Sequence, residues 1–144
     1  MDSFIIIVEE KKDFLKSIEH GAQNYSPAIL DTELSEGSLF ISTKEGYCRF
    51  KHSSTVFEDF EDEEKRLIMS NMNSPMFYIC VCTNFLLLKI VLEISASITP
   101  NIMIDNNQGS FLSLDNVQRL NSFNEFYERL AVDCSRKVKH KGEP

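Results

Sequence analysis

Basic residues are scarce in this chain. Fifteen Lys and Arg stand against 22 Asp and Glu, and four of the fifteen crowd into the last nine residues, RKVKHKGEP. Residues 1–135 therefore carry 11 basic against 21 acidic side chains, a balance of −10. Such a body repels the phosphate backbone of nucleic acid and attracts basic surfaces, so nucleic acid is not an expected partner. Long hydrophobic runs are missing as well. The start, MDSFIIIVEEKKDF, has no basic leader, and Phe4 to Val8 is far too short for a signal peptide or a membrane span. A cytoplasmic protein with no membrane partner is expected.

Cysteine pairs of the spacing that binds metal are also lacking. The four cysteines stand at 48, 80, 82 and 134 with no CxxC among them, and without a secretory context they read as reduced thiols. The three histidines, His20, His52 and His140, show no ligand spacing, so Cys80-Val81-Cys82 has no second pair with which to build a zinc site. A nucleophilic role for Cys80 or Cys82 is disfavoured, because a reactive thiolate wants an electropositive, half-exposed setting and both lie in a very apolar stretch. No P-loop, GxSxG, HExxH or dinucleotide-binding glycine pattern occurs. The chain is expected to need no metal or cofactor and to have no catalytic residues.

What is present forms a core. Apolar residues make up 42% of the chain, with 11 Phe but only 5 Gly and 4 Pro, which is the balance of a globular protein and not of a disordered one. At 144 residues it is one domain's worth of chain. Residues 1–135 are expected to fold together, with 136–144 a basic disordered tail.

Along the chain, SFIIIV (3–8) reads as a buried strand, or an edge strand at the N-terminus, and EEKKDFLKSIEHGAQN as a helix opened by its acids and stopped by Gly21. From Tyr25 to Gly37 the periodicity is lost, and a surface loop is expected. SLFIST (38–43) and YCRFKHS (47–53) bracket Lys44-Glu45-Gly46 as a hairpin. FEDFEDEEKRLIMSNMN reads as a helix from about Asp59, with Leu67, Ile68 and Met72 as its stripe. Seven apolar residues, 76–82, imply a strand buried on both faces. FLLLKIVLEISAS follows as a mostly buried helix capped by Thr83 or Asn84, its only charges Lys89 and Glu93 four apart on one face. ITPNIMIDNNQGSFLSL gives a strand, a turn and a strand. The closing helical stretch has Asp115 and Ser122 as N-cap candidates, with Phe123, Phe126, Tyr127 and Leu130 at helical spacing.

The order is thus β-α-β-β-α-β-α-β-β-α. Residues 76–104 read as a right-handed βαβ crossover and the hairpins as antiparallel. The fold expected is α+β, a mixed, largely antiparallel sheet of about five or six strands packed by helices.

Two stretches could carry function. In FEDFEDEE (57–64), Glu58, Asp59, Glu61, Asp62, Glu63 and Glu64 make six carboxylates in eight residues. Like charges at i,i+4 repel by a few tenths of a kcal/mol per pair. The run reads either as a docking patch for a cationic surface or as a helix start whose acids offset the dipole, and both can hold together. The Gly and alternating spacing of a calcium loop are absent. In Asp105-Asn106-Asn107-Gln108-Gly109, Asx residues and a glycine are what a tight turn needs, so Asp105, Asn106, Asn107 and Gly109 read as a structural turn and not as a catalytic site.

Residues 76–120 add a resemblance. The strand FYICVC, the abrupt helix TNFLLLKIVLEI, the Ile-Asp-Asn-Asn-Gln-Gly turn and a short strand leading to Leu-Asp-Asn-Val resemble small bacterial immunity proteins, the cognate inhibitors of polymorphic toxins, including those of contact-dependent growth inhibition systems. The resemblance implies a cytoplasmic protein that binds one toxin domain tightly and has no chemistry of its own. Many such toxins are nucleases with basic clefts, which a −10 body suits. The motif carries over at Ile104, Asp105 and Gly109, where it looks structural. Immunity proteins differ in the surface they use, so the contact residues expected here, those of 57–64, rest on electrostatics alone. The alternative is a non-catalytic adaptor or regulatory binding module for another basic partner, with a small hydrolase or transferase third. The oligomeric state is left open.

Overall fold

In the computed structural model the described residues are 3–25, 29, 31–108 and 110–128. Strand β1 (Phe4–Glu9) is followed by helix α1 (Phe14–Tyr25), the strands β2 (Asp31–Ser35), β3 (Ser38–Ser42) and β4 (Tyr47–Ser53), a 3-10 turn (Val56–Asp59) and α2 (Asp62–Asn71). Then come β5 (Pro75–Cys82), α3 (Phe85–Ile98), β6 (Ile102–Asp105), β7 (Phe111–Leu112), α4 (Leu114–Gln118) and α5 (Phe123–Phe126). The fold is α+β, as expected: the strands form one sheet in the order β2-β3-β4-β5-β1-β6-β7, and every neighbouring pair is antiparallel.

The sheet is not mixed, and the reason lies in β1. β5 and β6 run parallel to each other across the α3 connection, as a βαβ crossover requires, but β1 occupies the slot between them and pairs antiparallel with both. Continuous apolar character suits that place: Phe4 to Val8 are all buried, Phe4, Ile6 and Val8 on one side of the sheet and Ile5 and Ile7 on the other, so β1 is interior and not an edge.

Seven strands form where five or six are expected, because β2 lies in the presumed loop of 25–37. Thr32 and Leu34 lie on the α1 side of the sheet, Leu34 still exposed, while Asp31, Glu33 and Ser35 lie on the other side, and pairing with β3 from Asp31↔Ser42 to Ser35↔Ser38 makes a hairpin closed by Gly37 at φ +74°. Its charge hides it from a hydrophobicity reading, yet suits an unpaired sheet edge. The expected 38–53 hairpin is present.

Gly21 does not end α1, which starts only at Phe14, after Asp13 at φ +58°, and runs on to Tyr25. A Cβ at Gly21 would lie 2.8 Å from Ile94 Cγ2, so the glycine lets α1 and α3 approach closely.

Each face of the sheet has its own core. On one, α1, α3, α4 and α5 pack over Phe4, Ile6, Leu39, Ile41, Phe50 and Cys80. On the other, the 3-10 turn and α2 cover Ile5, Ile7, Phe77 and Phe111. Asn84 caps α3 by accepting the Leu87 N–H at 2.9 Å. Its two charges do not pair: Lys89 donates to the Gln118 carbonyl and Glu93 accepts from the Tyr25 hydroxyl. Asp115 does not cap α4. Ser113 takes that role in a capping box with Asn116, and Asp115 sits in the first turn. Ser122 caps α5. Leu130, Cys134 and the tail 136–144 lie outside the described residues.

Candidate functional site: an acidic ridge and the turn beside it

The carboxylates of 57–64 fall on two short elements joined at Phe60. Glu58 and Asp59 belong to the 3-10 turn, Glu61 is the N-cap of α2, and Asp62, Glu63 and Glu64 make its first turn. The helix therefore starts at Asp62, not Asp59. Three acids there complement the positive end of the helix.

Glu64 departs from the expected docking patch. It is 7% exposed and turns back to accept the Glu61 backbone N–H at 2.7 Å, closing a capping box. Its carboxylate holds the helix start and is withdrawn from the surface. Glu58, Asp59, Glu61, Asp62 and Glu63 remain exposed as a ridge. Lys65 lies 3.7 Å from Glu58 and 5.5 Å from the centre of the Phe57 ring.

Two residues in this run escaped the sequence reading. Phe57 and Phe60, three apart, turn into the sheet: both rings meet Phe77, at 5.5 and 6.0 Å, and Phe60 also meets Phe111 at 6.1 Å. The i,i+3 spacing of aromatics inside an acidic run was the available signal. The acids stay on the surface because these two rings hold their backbone down.

The turn at 105–109 is built from its own side chains. Asp105 accepts the Asn107 N–H at 3.0 Å, and Asn106 accepts the Gln108 N–H at 2.8 Å and the Ser110 N–H at 3.3 Å. Asn106, fully buried, also donates to the Phe126 carbonyl at 2.9 Å, and Asn107, at φ +61°, donates to the Ser3 carbonyl at 3.0 Å. This is a structural turn that ties β6 to α5 and to the start of β1. Gly109 lies outside the described residues. The structure also brings turn and ridge together: Asp105 shares a cavity of about 280 Å³ with Asp59 and Glu64, floored by Ile5, Phe60 and Ile79.

On the opposite face of the sheet is a larger, open cleft of about 760 Å³, which no sequence pattern announces. Lys11, Lys12 and Lys16 line it together with Glu10, Asp13 and Glu36, so its charge is mixed, and His52 and Tyr78 also line it, their rings 5.4 Å apart. Burial, with a contribution from Cys80, pushes Tyr78 up to about 12. Its folded-state value thus lies above the unfolded value of about 10. Its contribution to stability is intact below pH 10 and declines as pH rises toward 12, by about 1.4 kcal/mol per pH unit. Urea titrations across that range should show this loss, and Tyr78→Phe should remove it.

Cys48, Cys80 and Cys82 are buried and form no disulfide among the described residues, with Cys48 and Cys82 directly opposite each other on β4 and β5. Burial raises the Cys48 and Cys80 thiols, whereas the Cys48 hydrogen bond lowers Cys82. Among the described residues no three His, Cys, Asp or Glu gather as a metal site, and no helix is long and apolar enough to cross a membrane. No protein-family model, curated protein or solved structure matches the chain.

Proposed function

We propose that the chain is a non-catalytic inhibitor of the immunity type, binding a basic toxin domain, such as a nuclease with a basic active-site cleft, through the ridge of Glu58, Asp59, Glu61, Asp62 and Glu63. The observation that carries this reading is the rigid mounting of those carboxylates. Phe57 and Phe60 anchor their backbone in the core and a capping box fixes the start of α2, so five exposed negative charges occupy one fixed surface. Prepositioned charge of one sign steers a partner of the other sign, raising association rates by about 10–10³.

Co-expression with a candidate toxin domain tests the function directly. Binding and growth rescue are expected, and failure of both removes that pairing. Reversal of Glu58, Asp59 and Glu63 to Lys tests the surface. Glu61 and Glu64 are left in place because together they close the capping box that starts the helix. The triple variant is expected to keep its fold, to associate at least about tenfold more slowly and to lose most of its salt dependence. Unchanged rate and salt slope would move the interface off the ridge.

An adaptor for a basic partner is a second reading, and the separate cleft on the opposite face, lined by both acids and lysines, favours it by offering a second docking surface. Simultaneous capture of two partners would select it over inhibition.

A further inference from the structure

The second core covers only half of its face of the sheet. Its residues come from β1, β5, β6 and β7, beneath the 3-10 turn and α2. On β2, β3 and β4 the same face carries Asp31, Glu33, Phe40, Tyr47, Arg49 and Lys51, alternating with the inward residues of each strand. Strand register sets these side chains in rows. Glu33, Phe40 and Arg49 lie side by side across the three strands, as do Asp31, Ser42 and Tyr47, and Ser35, Ser38 and Lys51. The Phe40 and Tyr47 rings stack at 5.3 Å, and the Arg49 guanidinium lies 5.7 and 5.9 Å from their centres. The face therefore runs from acid on β2, through an aromatic on β3, to base on β4.

We propose that a second copy of this chain packs on that face, sheet against sheet, about a two-fold axis parallel to β3. That operation lays β2 of each copy over β4 of the other. Each Glu33 then meets the Arg49 of the second copy, and the two Phe40 rings meet at the axis. A pattern that complements itself under one rotation is what an isologous dimer needs. An axis perpendicular to the strands would stack Glu33 on Glu33 and Arg49 on Arg49. Edge pairing of β2 centred on Glu33 would likewise bring two carboxylates together, which costs stability. Single-stranded nucleic acid suits the aromatic and basic side chains but not the flanking Asp31, Glu33 and acidic ridge.

The footprint is small. Three strands about 4.8 Å apart and five residues long at about 3.4 Å each give a patch of about 14 by 17 Å per copy. That is well below what tight dimers bury, so the association is weak and strengthened at low salt.

Sedimentation equilibrium of the full chain, from about 10 μM to about 1 mM, tests it. A reversible monomer–dimer equilibrium is expected. Arg49→Glu or Glu33→Arg alone should weaken it at least about tenfold, with unchanged circular dichroism, and the double exchange should restore it because opposite charges face each other again. A monomer over the whole range overturns the proposal, as does a dimer indifferent to both single changes. Weakening that the double exchange fails to rescue overturns the two-fold pairing, and oligonucleotide binding by a persistent monomer assigns the face to nucleic acid instead.

Discussion

Replacing Asn106 by alanine is expected to cost about 3 kcal/mol, lowering Tm by about 10 °C. The side chain is fully buried and makes three hydrogen bonds, to the Gln108 N–H, the Ser110 N–H and the Phe126 carbonyl. A typical hydrogen bond contributes about 1 kcal/mol net, and leaving its partners buried without one adds to the loss. The neighbouring Asn107 should behave differently. It is exposed and in the left-handed region, and its amide donates to the Ser3 carbonyl, so Asn107→Ala should cost about 1–2 kcal/mol through backbone strain and the lost hydrogen bond, while Asn107→Gly, which relieves the strain, should cost only about 0.5 kcal/mol. Thermal and urea denaturation of the three variants checks the ranking. An Asn106→Ala loss below about 1 kcal/mol would show that the turn is held by its backbone and not by this side chain.

Phe60→Ala is expected to cost about 3–4 kcal/mol and to loosen α2 before the rest of the fold. Phe60 is 7% exposed, and its ring bridges Phe77 on β5 and Phe111 on β7. It also immediately precedes the N-cap of α2, so its loss frees the backbone that carries Glu61 to Glu63. Amide exchange should accelerate along α2 more than along β1 or β5. Partner binding should fall although no charge is altered. Binding that survives a loosened α2 would mean that the charges act as a diffuse cloud and that their fixed placement is unimportant. Phe60→Ala and Phe77→Ala together should cost less than their sum, since they remove the same contact.

The parts of the fold that were legible in the sequence are those where one signal dominates. β5 and α3 declare themselves by continuous apolar character and by Asn84 at the helix start, and the turn at 105–109 by its Asx residues. β2 was not legible because two of its five residues are charged and its strand character comes from pairing with β3, which is a tertiary fact. The stop assigned to Gly21 failed for a similar reason: the glycine answers to Ile94 on another helix and not to the end of its own. Asp115 was a plausible cap two residues from Ser113, and the hydroxyl at the actual boundary took the role. At the candidate site, the charge was legible and its division was not. Nothing in FEDFEDEE distinguishes Glu64, buried and capping, from Glu63, exposed beside it; that depends on which side of α2 meets the sheet.

The interior place of β1 also bears on when the fold can form. Phe4 pairs with Cys80 and Ile5 with Asp105, so β1 finds its two neighbours only after residues far along the chain have been made. Contacts of such sequence separation slow folding. Until then FIIIV is an apolar, β-prone segment without a partner, of the kind that aggregates, and the closing of the sheet awaits β6.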